Sequence, residues 1–563
     1  MNRQHRIMFL VSSVVAVLFG IGLPAAAGEI QPDPDLPGLG NRLERLEWLQ
    51  DAGFGMFVHW SLDSQVGSVI SHSLVGASED YLRWFFHDLP RTFNPKRWDP
   101  EELAVLAKLA GMKYVVFTTK HHSGFCWWDT KTTDFKATNT PFGQDLLYGY
   151  VQALRKHGLG VGFYYSPEDF AWLHRNGFEI RRRNLVPHPD EDPHYVKHIS
   201  TQVAELFTHY GPVDVLFIDG EGELPTKKTA WSLQPSCLIT RGAIATPEQF
   251  VPGRPPRGPW ESNLTMGTQW AYKPTNEEYK SGTRIIEILI ETRAKGGSLL
   301  LNVGPKPNGE LPIEQEERLR EIALWQAVNG ESIHDTRPWV VPREEDIWFS
   351  KSKDRNTVYA FLTRQPEWPR GQRREFLLRS VKATTKTRIS VLGHNGRVVE
   401  YMPQLDGMPR FEQKAEALEI SVVRGQRLYN NHRWPNPVVV KLENVEPAFT
   451  QPPYAETTGA LLRGSQTVVF QGELIDLGGA GQVEVGIEYQ VYGGFAVAMH
   501  NTEWTATAVK KMNAPGSFEV EVSGLKPETE YQYRAFVRHP KIVMRGDHKQ
   551  VCLCKGSVKG ITE

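Results

Sequence analysis

Short apolar runs of strand length alternate with helix-length amphipathic stretches from about residue 40 to about residue 335. The runs are Phe54-Gly55-Met56-Phe57-Val58-His59, Tyr114-Val115-Val116-Phe117-Thr118-Thr119, Gly160-Val161-Gly162-Phe163-Tyr164-Tyr165, Val213-Asp214-Val215-Leu216-Phe217-Ile218 and Leu299-Leu300-Leu301-Asn302-Val303. They are continuous in polarity, as expected of strands covered on both faces by helices. Between the first two, Asp99-Pro100-Glu101-Glu102 opens a helix with Pro at its first position, and Gly111 closes it. Repeated strand–helix units over this length predict a parallel (β/α)8-like barrel. An open doubly wound sheet is the alternative. It calls for a Gly-rich loop after the first strand, where this chain has His59-Trp60-Ser61.

After Trp339 the texture becomes all-β. Thr357-Val358-Tyr359-Ala360-Phe361-Leu362 and Arg388-Ile389-Ser390-Val391-Leu392 read as strands, and helices are not evident to about residue 440. A β-sandwich is expected over 339–440, after the (β/α)8-like unit over 40–338. The prolines of Pro435 to Pro453 read as a linker. A last all-β unit is expected over 454–563. Its segment GLKPETEYQYRAFV resembles the late strands of a fibronectin type III domain, with Tyr531 as the corner tyrosine.

Residues 1–27 do not read as part of the fold. Arg3 and Arg6 precede an apolar stretch from Ile7 to Phe19, and Ala25-Ala26-Ala27 offers a small-residue cleavage site. That is the pattern of a secretory signal, which implies a secreted or periplasmic product. No later stretch reads as a membrane span. The net charge of −1 over 563 residues gives no basic excess for nucleic acid. Four cysteines, Cys126, Cys237, Cys552 and Cys554, are too few for a disulfide scaffold, and disulfides need not form. The 16 Trp, 18 Tyr and 26 Phe suit both a large core and a sugar-binding cleft.

Polar residues stand at the C-terminal ends of the predicted strands: His59, then His121 and His122, then Tyr164 and Tyr165, then Asp219. In a parallel barrel these ends converge on one pocket. Asp219 carries the most information, because a carboxylate delivered by a buried strand is costly unless paired or used. Its bland alternative is a turn, since Asp219-Gly220 is a common turn pair. Strand alternation predicts that at most one of His121 and His122 points inward. Three histidines and an aspartate also raise zinc, although no helical histidine pairing is present.

As a set, FGMFVHW, KYVVFTTKHHSGFCWWDTKTTDF, GVGFYYSPED, VDVLFIDG, PWESNLTMGTQWAY and GGSLLLNVGPKPNGELP resemble the retaining α-L-fucosidases of glycoside hydrolase family twenty-nine. The resemblance runs from about residue 45 to 340 and keeps the family's order of motifs. It implies a (β/α)8-like barrel followed by a β-sandwich, and hydrolysis of terminal α-L-fucose from fucosylated glycans without a cofactor. It makes Asp219 the nucleophile and Glu261 the acid/base. It gives His59, His121, His122 and Tyr165 the fucose hydroxyls, with Tyr164 able to exchange roles with Tyr165, and puts Trp270 in the pocket wall. Phe217, Trp127 and Trp270 are candidates for an apolar surface against the sugar's methyl group. Many members carry a Glu-Trp pair in the loop after the first His and an acidic residue after the paired histidines. Here that loop is HWSLDSQVGSVISHSLVGASEDY, and Ser123 follows the histidines.

Such chemistry needs two carboxyls about 5 Å apart, one ionised and one protonated. Two alternatives remain at this level: a carbohydrate-binding protein without turnover, and the same chemistry on a related sugar such as an α-L-galactoside. The sequence leaves the glycan linkage and the oligomeric state open.

Overall fold

The computed structural model describes residues 29–365, 367–394, 397–399, 402–425, 436–492 and 504–553. The expected signal segment 1–27 and Cys554 lie outside them.

Seven strands form one parallel sheet: β1 (Phe54–Val58), β2 (Tyr114–Lys120), β3 (Gly160–Tyr165), β4 (Val215–Ile218), β5 (Leu238–Ile239), β6 (Glu261–Thr265) and β7 (Ser298–Val303). Their order is β5-β4-β3-β2-β1-β7-β6. Nearly every residue in them is buried, which explains their continuous apolar character. Helices Pro100–Leu109, Leu146–Lys156 and Pro193–His209 return the chain between strands. Each starts where an aspartate side chain, Asp99, Asp145 or Asp192, accepts a first-turn N–H. A carboxylate both satisfies the orphan donor and suits the positive end of the helix.

The sheet is strongly curled. Phe57 on β1 and Phe217 on β4 sit three strand spacings apart, roughly 14 Å in a flat sheet. Their ring centroids are 4.8 Å apart. Phe57, Val116, Tyr164, Phe217 and Leu300 share this inner core. On its outer edge β6 meets the irregular stretch that follows β5. Glu261 N–H donates to Ala245 O (3.1 Å), Asn263 N–H to Pro247 O (3.0 Å), and Gln249 N–H to Asn263 O (2.9 Å). The regular eighth strand of the expected barrel is therefore not among the described residues. Residues 245–249 take that edge irregularly, because Pro247 has no N–H to continue a ladder.

Two groups of antiparallel sheets follow. A five-stranded sheet (Thr336–Glu344, Ile347–Ser352, Thr357–Leu362, Val438–Pro447, Val381–Val391) and a three-stranded one (Arg373–Leu378, Leu418–Val423, Arg410–Gln413) share a core that includes Phe349, Leu362, Leu378, Ile420 and Val440. Val438–Pro447 lies within the stretch expected to be a linker. It is instead a strand paired on both sides, and Val438, Val440 and Leu442 are in that core. The prolines mislead because they fall at the strand's ends, where a missing N–H costs no ladder bond.

The chain then folds into sheets Pro453–Leu462, Thr467–Leu477, Gly516–Ser523 and Thr505–Ala506, Val483–Val491, Glu530–Arg538, Val543–Cys552. Tyr531 accepts at its hydroxyl from Lys526 N–H at 2.9 Å. Cys126 and Cys237 are free and buried, and Cys552 is disulfide-bonded.

Candidate active site at the C-terminal ends of the parallel strands

Asp219 follows the last residue of β4, and its N–H donates to Tyr165 O at 3.2 Å. Gly220 has φ 109°, and a Cβ there would meet Glu168 Cγ at 2.7 Å. The chain thus bends out of β4 at a left-handed glycine. The Asp219 side chain does not cap this bend. Oδ2 accepts from the Tyr164 hydroxyl at 2.8 Å, and Oδ1 from Arg241 Nη1 at 2.9 Å. Burial by itself would raise the Asp219 pKa. The charges of His122 and Arg241 and the Tyr164 hydrogen bond outweigh it and hold the carboxyl below its ordinary value. At neutral pH, Arg241 and Tyr164 supply this effect, because His122 is then uncharged.

The histidines converge around this carboxylate. His59, just past β1, has Nδ1 2.6 Å from Asn302 Oδ1, and Asn302 Nδ2 donates to Trp270 O at 2.7 Å. That network makes His59 Nδ1 the donor and leaves Nε2 as an acceptor. His121 Nδ1 lies 2.7 Å from Ser71 Oγ, and its ring stacks on Tyr164 at 5.5 Å and 2°. His122 Nδ1 lies 2.6 Å from Ser166 Oγ, and its Nε2 is 3.8 Å from Asp219 Oδ2. Burial pulls His59 and His122 down to about 4 and His121 well below its ordinary value. All three are neutral near pH 7, each with one donor and one acceptor nitrogen.

Both adjacent histidines lie against the site, with ring centroids 4.3 Å apart, correcting the expectation that only one would. β2 ends at Lys120, so strand alternation no longer governs the two residues. Alternation does govern the two tyrosines, and it reverses the expected role. Tyr164 faces the inner core and the carboxylate. Tyr165, expected to bind substrate, turns to the other face, donates to Gln202 Oε1 at 2.8 Å and lies under Lys120 at 4.8 Å.

Trp270 is half-buried beside His59, ring to ring at 4.8 Å. Phe217 lies beneath Tyr164 at 5.7 Å. Trp127, the third candidate wall residue, instead stacks on Trp60 at 4.5 Å inside the helix-side core.

Glu261 is not in this group. It is the first residue of β6, at the opposite end of the sheet from Asp219. Its side chain is fully buried and accepts from the hydroxyl of Tyr114, the first residue of β2. Burial pushes its pKa up to about 7, as a proton donor requires. Geometry takes precedence, because a general acid must reach its substrate. The expected acid/base role of Glu261 is therefore corrected to a structural one.

Several residues at the site carried no sequence signal. Arg241 comes two residues after β5, a strand too short to read as an apolar run. It also donates from Nη2 to Glu248 Oε2 at 2.7 Å, and Glu248 is exposed. Glu168 is buried, with Oε2 3.4 Å from His122 Nδ1, and burial pushes it up to about 8. Ser71 adopts φ 61°, held by its N–H donating to the buried Asp63 at 2.9 Å, and aims its hydroxyl at His121. His72, next in the chain, brings its ring within 6.1 Å of His122.

His121, His122 and Asp219 each offer a ligand atom within 4.8 Å of the others. Both Asp219 oxygens already accept hydrogen bonds, one from a guanidinium. A fixed positive charge against the carboxylate opposes a second cation, so the donor set does not fit zinc.

A family model described as α-L-fucosidase matches residues 39–331. The tissue α-L-fucosidase of Rattus norvegicus is 29% identical over 444 residues, covering 70% of this chain and 92% of that one. The plasma α-L-fucosidase of Homo sapiens is 28% identical over 415 residues, covering 64% and 86%. Among solved structures, α-L-fucosidase isoenzyme 1 from Paenibacillus thiaminolyticus superposes with a TM-score of 0.58 at 29% identity, covering 72% of this chain and 99% of that one. The Thermotoga maritima α-fucosidase in complex with fucose gives 0.55 at 25%, covering 70% and 96%. The matched span contains the parallel sheet and the whole cluster at its strand ends, and the chain belongs to the α-L-fucosidase family of glycoside hydrolases.

Proposed function

We propose that this glycoside hydrolase is a secreted, retaining exo-enzyme that removes terminal α-L-fucose from fucosylated glycans, with Asp219 as nucleophile. The observation that carries the reading is the environment of Asp219. It is an ionised carboxylate at the C-terminal mouth of a parallel sheet, oriented by Tyr164 and Arg241 and ringed by neutral histidines. Attack of Oδ2 or Oδ1 on the anomeric carbon expels the glycan oxygen and leaves a glycosyl ester. Water then cleaves that ester. His59, His121 and His122 each have Nδ1 bonded within the protein, which leaves Nε2 of each as the nitrogen to meet a sugar hydroxyl. The half-exposed Trp270 face beside His59 supports an apolar contact for the 6-methyl group.

The leaving oxygen needs a proton donor, and Glu248 is the carboxyl whose position supports that role. Arg241 bonds Asp219 and Glu248 from its two terminal nitrogens, so one guanidinium separates the two carboxylates. Glu248 is exposed and can exchange protons with water, as an acid that becomes a base must.

Secretion rests on the pattern of residues 1–27. No helix among the described residues is long and apolar enough to cross a membrane. A division into a (β/α)8-like catalytic unit, a β-sandwich and a fibronectin type III-like unit is supported by the sheets described above. For the last unit it is also supported by the Tyr531–Lys526 bond, the position of a tyrosine corner.

The test is hydrolysis of an aryl α-L-fucoside followed by proton NMR of the first product. Retention releases the α-anomer first. Initial β-anomer overturns the mechanism, and binding without release points to a carbohydrate-binding protein.

A further inference from the structure

The stretch 245–254 leaves β5, passes Glu248 and runs out to meet the terminal β unit, some 200 residues further along the chain. Its near half is tied to β6 through Ala245, Pro247 and Gln249. Gln249 has φ 65°, and its side chain accepts from Thr265 Oγ1 at 3.1 Å. Non-glycine residues adopt that backbone only where surrounding contacts enforce it.

The far half docks on the terminal unit. Arg254 N–H donates to Asp547 Oδ1 at 2.7 Å, and the Arg254 side chain pairs with Glu456. The guanidinium lies over the Tyr454 ring at 5.6 Å, and the Phe250 and His548 rings meet edge to face at 5.7 Å. At the centre two glycine backbones touch, so that a Cβ on Gly253 would sit 2.3 Å from Gly546 O. The opposite flank is fixed by the buried Lys295, whose Nζ donates to Pro252 O at 2.6 Å. Charge, aromatic contact and a backbone approach that only glycine permits all fall on one seam. Phe250, the first residue at that seam, is two positions from Glu248.

We infer that the terminal β unit is a working part of the active site. It clamps the loop that carries Glu248, with Asp547 as the positioning residue. The inference rests on Glu248 as proton donor. It gives the terminal unit a role in leaving-group departure, because a loosened clamp misplaces the donor and leaves Asp219 untouched. Departure of a poorly acidic alcohol depends on that donor, while an activated phenol leaves with little protonation.

The test compares kcat/KM for a dinitrophenyl α-L-fucoside and for a fucosyl disaccharide, using the full chain. Asp547→Ala should lower the disaccharide value by about tenfold, the scale of one charge-assisted hydrogen bond, with the aryl value nearly unchanged. Asp547→Asn keeps an acceptor for Arg254 N–H and should restore most of the loss. Gly253→Ala, which forces the seam apart without touching the core of either unit, should reproduce it even where Asp547→Ala folds poorly. Equal losses on both substrates, or none, in the seam variants overturn the inference. Glu248→Ala is run beside them. A disaccharide-selective loss in Glu248→Ala but not in the seam variants refutes the clamp and leaves the donor standing. No selective loss in Glu248→Ala removes the donor and the clamp together.

Discussion

Tyr164 donates its hydroxyl hydrogen to Oδ2 of Asp219 across 2.8 Å. The bond holds one lone pair of the carboxylate, so the other oxygen and its orientation are set by Arg241. It also favours the ionised form, because a hydrogen bond to the charged state lowers a pKa. Tyr164→Phe should therefore raise the Asp219 pKa and move the acid limb of the kcat/KM profile to higher pH. Tyr165→Phe loses only the Gln202 contact on the far side of the strand and should leave that limb in place. Equal shifts in both variants would contradict the assignment of the inward face.

Asp219→Ala removes the attacking oxygen. Turnover of an aryl α-L-fucoside should fall roughly 10³-fold or more, with fucose binding measured calorimetrically largely kept. Retention of wild-type-like turnover would place the nucleophile elsewhere.

Glu261→Gln should keep an acceptor for the Tyr114 hydroxyl and leave kcat within about twofold of wild type on every leaving group. Glu261→Ala leaves that hydroxyl unpaired in a dry interior and should cost about 1–3 kcal/mol of stability, read as a lower Tm. A leaving-group-dependent loss of kcat in Glu261→Gln would restore Glu261 as the acid.

Glu168 is protonated in the folded state up to about pH 8, against 4.5 for the free group. The fold therefore binds one more proton than the unfolded chain between those values. The resulting stability is full below pH 4.5 and is lost as pH rises through about 8. Glu168→Gln removes that dependence, so its Tm relative to wild type should climb between pH 5 and pH 9. His59 and His122 act in the opposite sense. Their folded values of about 4 lie below the free value of 6.5, so they cost stability as pH falls through that window. A Glu168→Gln difference that is flat with pH would show the carboxyl to be ionised in the fold.

The alternation of buried runs and capped helices made the parallel sheet legible, since a strand covered on both faces has no polar residues to interrupt it. The same logic made His59, His121, His122 and Asp219 readable as one group, because parallel strands end on one side. It stops where the strands do. Strand alternation fails for His121 and His122, which lie beyond β2, and the two-residue β5 gave no run from which to find Arg241.

Motif likeness alone could not distinguish the two ends of β6. Glu261 sits in the family-like Trp260-Glu261-Ser262 motif, yet its carboxyl is fully buried against the Tyr114 hydroxyl. By itself the sequence made the parallel α/β sheet legible, because buried runs and strand direction are written locally, and its ordered motifs carried the likeness to the family that marks Asp219 as candidate nucleophile. The inward tyrosine, the Arg241 bridge, the carboxyl beside it and the seam to the terminal unit were decided only by tertiary structure. Each depends on how far the sheet curls and which distant segments it brings into contact, and no local spacing records that.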